Sequence, residues 1–235
     1  MFEIKVEKSW YDAIYARASV RTFTGEPTEE QLLHLGDLCR KFSWQGVRMR
    51  LFRGPGMKSF IKGTQIFCAI ALKKGTAPEL AVFYGEALVL EAVSMGLGAC
   101  WLGMFYHDMV KNTFKPAQDE EVVLLIALGQ CAKPAFAPKR KPLAELLEGG
   151  EESALAPWQK SALEAARVAP SAVNKQPWRF AFDVRSISVL EKNSMITKKY
   201  AGYDRGIAML HATIGAQREG RDGRWQACER GYQYK

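Results

Sequence analysis

One pattern occurs twice in this chain, in the same order, and any fold has to accommodate both copies. LGDLCRKFSWQGVRMRLF reads as a helix followed by a strand, and LEAARVAPSAVNKQPWRFAF repeats that unit in the second half. Each unit is followed by a helix that ends among glycines and runs on to a tryptophan. The first starts near Gly85 and passes through MGLGACW to Trp101; the second starts at Gly206 and passes through REGRDGRW to Trp225. Self-similarity in a fixed order implies one structural module built twice. The expected organisation is two tandem, degenerate halves, residues 1–150 and a shorter 151–235, folded as one interlocked unit.

Local patterning fills in the elements. Asp12–Arg17 and Glu29–Lys41 read as helices; in the second, Thr28 is placed as N-cap with Gln31 closing a capping box, and Leu32, Leu35 and Leu38 fall at helical spacing. Val47–Phe52 alternates as a strand, whereas Gln65–Leu72 is a continuous apolar run and so a more central one. Pro78–Met95 reads as a long apolar helix that Gly96 or Gly98 would terminate, with an extended stretch over Ala99–Gly103 and a buried strand over Glu121–Leu128. Residues 133–157, rich in Pro, Lys, Gly and Glu, read as a crossover linker with a helical turn at Leu143–Leu147. A helix over Pro157–Val168, strands over Trp178–Asp183 and Ser186–Leu190, and a helix over Asp204–Arg218 follow. The tail from Trp225 to Lys235 is polar and aromatic.

Composition narrows the class. With 235 residues, 48% of them hydrophobic and 25% charged, the chain reads as an ordinary globular protein. Its best apolar run, Val122–Leu128, suits one buried strand and falls far short of a bilayer span, so no membrane is expected. The N-terminus lacks the uninterrupted apolar core of a signal peptide. Cys39, Cys68, Cys100, Cys131 and Cys228 are scattered, odd in number and without a CxxC or His/Cys cluster. That pattern points to no metal site and to a reducing cytoplasm. The formal charge of +8 admits a solvated basic surface, nucleic-acid binding, or a cleft that concentrates small anions. No nucleic-acid module accompanies the charge.

Four segments carry candidate chemistry. In Arg17-Ala18-Ser19-Val20-Arg21 the alternate residues of an extended segment share a face, which would set two guanidiniums and a hydroxyl together as an anion clamp. An isolated solvated basic edge would look the same. Ala169-Pro170-Ser171-Ala172-Val173-Asn174-Lys175-Gln176-Pro177-Trp178 is a proline-bracketed loop that presents Ser171, Asn174 and Gln176 at fixed positions; an ordinary turn would use Asn174 and Gln176 on its own backbone. Gly96–Gly103 lets backbone approach a ligand, or simply caps a helix beside a core tryptophan. Lys139-Arg140-Lys141-Pro142 is either a solvated cluster or a phosphate ligand. Two single residues read as structural: His211 as a core histidine in the last helix, and Cys100 as a buried thiol with no base paired to it in its motif.

Together, RASVRTF, APSAVNKQPWRF, GLGACWLG and the KRKP ahead of LAELL resemble the signature elements of the FMN-dependent nitroreductase family, in its fused-repeat (TM-nitroreductase) branch. In most of that family the PSxxNxQPW element follows soon after RxSxR. Here it lies in the other half, and the second half has neither RxSxR nor KRKP. The resemblance implies an α+β fold with mixed, mainly antiparallel sheets flanked by helices, in which two repeats in one chain imitate the family's dimer. One site would be complete, and a monomer would suffice. It implies FMN as cofactor, NADH or NADPH as reductant, and an electron-poor small molecule as substrate, with no nucleic-acid partner. Flavin N5 would carry the hydride, leaving no protein residue with a catalytic role. By the same resemblance Arg17 and Ser19 would hold the FMN phosphate, and Arg21 would lie near the N1–C2=O edge. Ala99, Cys100, Trp101, Leu102 and Gly103 would lie against the flavin. Arg140, with Lys139, would bind phosphate, and Pro170, Ser171 and Asn174 would supply the loop that the other subunit gives elsewhere in the family. Lys58 and Lys62 are further basic candidates. A flavin- or anion-binding protein without turnover is the alternative.

Overall fold

A computed structural model describes residues 2–54, 60–132, 138–191 and 199–235. The chain divides into two compact units. One comprises Ala16–Ala77 and Tyr84–Ala137; the other comprises Met1–Tyr15, Pro78–Phe83 and Pro138–Lys235.

The first unit is built on helix α2 (Glu29–Lys41), strands β1 (Val47–Arg53) and β2 (Ile66–Lys73), most of α3 (Pro78–Ser94), β3 (Leu97–Leu102), α4 (His107–Phe114) and β4 (Glu120–Gln130). A short helix, α1 (Trp10–Ala16), leads into it. Its sheet has the order β1-β2-β4-β3, and every neighbouring pair is antiparallel. The continuous apolar runs of the sequence become the two inner strands: Ile66–Leu72 in β2 and Leu124–Leu128 in β4 are buried along their length. Strands covered on both faces have no reason to alternate. On one face Phe67, Ala69, Leu125 and Ala127 pack with Phe105, Val110 and Phe114, the last two set four residues apart on α4. The Thr28 capping box forms as the spacing predicts: Gln31 N donates to Thr28 Oγ1 at 3.3 Å, and Thr28 N donates to Gln31 Oε1 at 2.9 Å. At the end of α3, Gly96 takes the left-handed conformation (φ +80°) that a helix stop of this kind requires.

The second unit contains α5 (Leu143–Leu146), α6 (Pro157–Arg167), β5 (Trp178–Phe182), β6 (Ile187–Glu191), α7 (Ala201–Arg218), β7 (Trp225–Cys228) and β8 (Gly231–Tyr234). Its sheet has the order β5-β6-β8-β7, again antiparallel throughout. Reading along the chain, α2-β1-β2-α3-β3-β4, with α4 inserted before β4, parallels α6-β5-β6-α7-β7-β8, and the two sheets share one strand order. That identity supports the tandem repeat and gives the α+β, nitroreductase-like class its physical form. Parallel contacts occur as isolated bridges outside the named strand pairs.

The polar, aromatic tail is an ordered hairpin. Trp225 and Tyr234 are fully buried and directly paired across it, and the Trp225 indole N–H donates to Thr213 Oγ1 at 2.9 Å. Two large aromatics anchor short strands whose remaining residues are small or polar and stay exposed or half-buried, so hydropathy alone does not reveal them. The N-terminal segment docks on the same hairpin. Phe2 and Trp225 exchange backbone hydrogen bonds, Val6 N donates to Gln217 Oε1, and Gln217 Nε2 donates to Ile4 O. Among the described residues no helix is long and apolar enough to cross a membrane.

Candidate functional site

The sequence-predicted residues gather into two clusters, one in each unit. In the first, residues 17–22 run extended beside β3. Ser19 forms a parallel bridge with Ala99, and Val20 N donates to Ala99 O at 3.0 Å. The segment is pinned again at Arg21, whose carbonyl accepts from Lys62 N at 2.9 Å. RASVR and GLGACW, some eighty residues apart in sequence, are therefore neighbours, and Lys62 joins them through its backbone. Lys58 falls outside the described residues.

Alternation predicts that Arg17, Ser19 and Arg21 share a face. Ser19 and Arg21 are exposed, but Arg17 is turned inward, with 7% of its surface accessible. Its Nη2 lies 3.5 Å from Ser19 Oγ, so the clamp is partly assembled. The reason for the inward turn is Glu86, a wholly buried carboxylate on α3 whose Oε1 is 3.9 Å from Arg17 Nε. Glu86 Oε2 also accepts from the Trp101 indole N–H at 2.7 Å. Gly85 makes this possible: a Cβ there would stand 2.5 Å from a Trp101 ring carbon, so only a bare backbone lets the indole lie against α3. Burial pushes the Arg17 guanidinium below its ordinary pKa, and Glu86 opposes the shift. Arg17 Nε has no hydrogen-bond partner.

The sequence reading missed Glu86. Carboxylates that interrupt an otherwise apolar stretch, as Glu86 and Glu91 do in GEALVLEAV, are the signal that could have found it, because a buried charge demands a partner. Cys100 sits under the two arginines. Burial raises its thiol pKa, and Arg21 and Arg17 only partly offset this, so it stays a protonated core thiol. Leu102 is a core residue, and Gly103 directly follows β3.

The second cluster joins Lys139 and Arg140 to the proline-bracketed loop. Asn174 Oδ1 accepts from Arg140 Nη1, and its Nδ2 donates to Lys139 O at 2.9 Å. Arg140 Nε and Nη2 both donate to Val168 O, and Lys141 N donates to Gln176 Oε1 at 2.9 Å. Inside the loop, Gln176 N donates to Ser171 Oγ at 2.8 Å. Val173, Asn174 and Gln176 all adopt left-handed backbone, with φ of 46°, 57° and 49°. That conformation is costly for non-glycine residues, above all for β-branched Val173, whose side chain is nonetheless 82% exposed. Lys139, Asn174 and Lys175 are exposed and Ser171 half-buried, while Pro170 is buried beneath them. Backbone strain of this kind persists only where the surroundings hold it, here through Arg140, Lys139 and Lys141. His211 is fully buried, with Nδ1 3.1 Å from Ala165 O, the surroundings of a core histidine.

Each cluster, taken by itself, fits an anionic group such as a phosphate. The first cluster offers two guanidiniums and a hydroxyl beside an edge strand, and Arg17 retains an orphaned buried N–H. The second offers an ammonium and a fixed amide on a stiff loop. Among the described residues no group of His, Cys, Asp and Glu is arranged to hold a metal.

A search of curated proteins found no match. Among solved structures, the chain is similar to a "putative nitroreductase" from Thermotoga maritima MSB8, with TM-score 0.74 and 22% identity over 100% of this chain and 96% of that one. It is also similar, with TM-score 0.50 and 14% identity, to a mutant of an FMN- and NADPH-dependent nitroreductase from Sphigopyxis sp. strain HMH; this covers 60% of this chain and 98% of that one. Likenesses at these identities establish the fold. The family model described as "Putative TM nitroreductase" matches residues 9–216, a span that takes in RASVR, GLGACW, KRKP and APSAVNKQPW, and by that match the chain belongs to the TM-nitroreductase family of oxidoreductases.

Proposed function

We propose that the protein is an FMN-dependent oxidoreductase that uses NADH or NADPH to reduce an electron-poor small molecule such as a nitroaromatic, a quinone or an activated alkene. The observation that carries this reading is the Val20–Ala99 backbone bond, which sets the Arg17/Ser19/Arg21 clamp along the Ala99–Leu102 strand. Bound FMN supplies the redox chemistry, accepting a hydride equivalent and passing an electron pair to the acceptor.

The chain's own residues bind and tune. Arg17 and Ser19 hold the phosphate through charge-assisted hydrogen bonds. Arg21, exposed at the other end of the clamp, would offer a cation to the part of the flavin where reduction places negative charge. Ala99–Gly103 would offer it backbone groups. Lys139, Arg140, Pro170, Ser171 and Asn174 also contribute to cofactor binding, and the chain works as a monomer.

The test uses the purified chain loaded with FMN. One flavin per chain is expected when flavin released by denaturation is counted against protein. Under anaerobic conditions NADH or NADPH should bleach the flavin absorbance, and an added quinone or nitroaromatic should restore it. Flavin that stays oxidised with both reductants would instead identify a binding protein without turnover, and a chain that binds no FMN would sink the reading altogether.

A further inference from the structure

A buried carboxyl in the second unit, Asp204, stands outside the proposed flavin contacts. Asp204 lies in the first turns of α7 and is 3% exposed. Its Oδ1 accepts the backbone N–H of Ala172 at 2.8 Å, and its Oδ2 is buried with no hydrogen-bond partner. Ala172 is the residue immediately before the strained Val173-Asn174 pair. A carboxylate from a different element thus grips the loop at the point where its backbone enters the left-handed region. Backbone strain persists only where the surroundings hold it. Other holds on the loop act further along, at Asn174, Lys175 and Gln176.

We propose that Asp204 is the positioning residue of the Pro170–Gln176 loop, and that it couples the order of this loop, and through it FMN affinity, to pH. The FMN part rests on the function proposed above; the loop part does not. Burial drives the carboxyl up to about 7, and the Ala172 hydrogen bond only partly offsets this. The charged groups of the neighbouring elements are engaged elsewhere. On α7, Arg205 pairs with Glu79. At the end of α6, Arg167 pairs with Glu164. On β5, Arg179 donates to Trp178 O. Beside the loop, Arg140 holds Val168 O and Asn174, and Lys141 Nζ donates to Lys175 O. Lys175 is exposed, and Lys199 lies over the Tyr200 ring at the start of α7.

The sign follows from linkage. The closed loop raises the Asp204 pKa, whereas opening lets the carboxylate hydrate and return towards its ordinary value. The closed form therefore binds the proton more tightly. Its advantage is complete below the ordinary carboxylate range and declines as pH rises, by up to about tenfold per unit, levelling off above about 7.

Hydrogen exchange of the 170–177 backbone, corrected for intrinsic amide chemistry, and FMN titration test this on the full chain across pH 5–9. In the wild type, loop protection should fall from pH 5 to 7 and then flatten. Asp204→Asn keeps an acceptor for Ala172 N–H but cannot ionise, so protection and FMN affinity should match the acidic wild type and lose this pH dependence. Asp204→Ala should expose the loop at every pH and weaken FMN about tenfold, the scale of leaving the Ala172 N–H without its buried acceptor. The proposal is overturned if Asp204→Ala leaves loop exchange at the wild-type level, if Asp204→Asn behaves like Asp204→Ala, or if the pH step survives in Asp204→Asn. Loop exchange that responds as expected while FMN affinity stays constant would keep the positioning role and overturn the flavin coupling.

Discussion

Arg17→Ala should weaken FMN binding roughly ten- to a hundredfold and, independently, lower the stability of the chain. The first effect is the loss of a charge-assisted phosphate contact, about 1.5–3 kcal/mol, at about 1.4 kcal/mol per tenfold. The second comes from Glu86. Removing one partner of a buried pair leaves the other charge uncompensated, at about 3 kcal/mol or more. The two can be separated. Adding Glu86→Gln to Arg17→Ala removes the stranded charge while leaving an oxygen to accept the Trp101 N–H. Stability in denaturant should recover, and FMN affinity should not. If stability stays low in the double variant, the charge of Glu86 is not what Arg17 answers. Arg21→Ala serves as the contrast. Its side chain is exposed, so stability should hold, while the flavin potential should fall by roughly 30 mV for each 1.4 kcal/mol lost from the reduced form. A potential that moves in Arg17→Ala and not in Arg21→Ala would reverse the two assignments.

Gly215→Ala should destabilise the chain even though alanine is the better helix former. α6 and α7 meet backbone to backbone at this point. A Cβ on residue 215 would stand 2.3 Å from Ser161 O and 2.6 Å from Ala162 Cα, and the Ser161 hydroxyl already donates to Gly215 O at 2.9 Å. The obstructing atoms are main chain, so the helices must separate. Propensity returns at most about 1 kcal/mol, against an overpacking cost of about 3 kcal/mol or more. A net loss near 2 kcal/mol corresponds to a Tm lower by roughly 4–8 °C for a chain of this size. A Tm that rises would show that the two helices can part without cost.

The parts of the fold legible in the sequence are those where local rules and packing agree. Thr28 and Gln31 announce α2, the runs ending at Leu72 and Leu128 announce inner strands, and Pro78 opens α3 as expected. The helix over His107–Phe114 escaped because only Val110 and Phe114 of its eight residues reach the core, too few for a visible period. The closing hairpin escaped because two buried aromatics hold strands whose other residues are small or polar. The site divides in the same way. Candidate residues picked out by type and spacing, such as Arg17, Ser19 and Asn174, could be named from the sequence. Glu86 and Asp204 could not be, since what matters is which distant group their buried oxygens meet. Arg140 is an intermediate case: its charge suggests a phosphate ligand, and only the fold reveals that it also braces Asn174 and Val168.

The docking of residues 2–6 on the last hairpin bears on how the chain is made. Phe2 pairs with Trp225, and Ile4 and Val6 share Gln217. Their partners emerge from the ribosome more than two hundred residues later, which at ordinary elongation rates is roughly 10–45 s. Throughout that interval the β1–β4 sheet, whose strands all come from one continuous stretch of chain, can already close, while the apolar Phe2 and Val6 wait in solvent without their partners. A nascent chain of this protein is thus expected to pass through a half-folded stage in which the apolar segment around Phe2 and Val6 stays exposed, and chaperones that bind short apolar segments should be found on it until the Trp225–Tyr234 hairpin has been made.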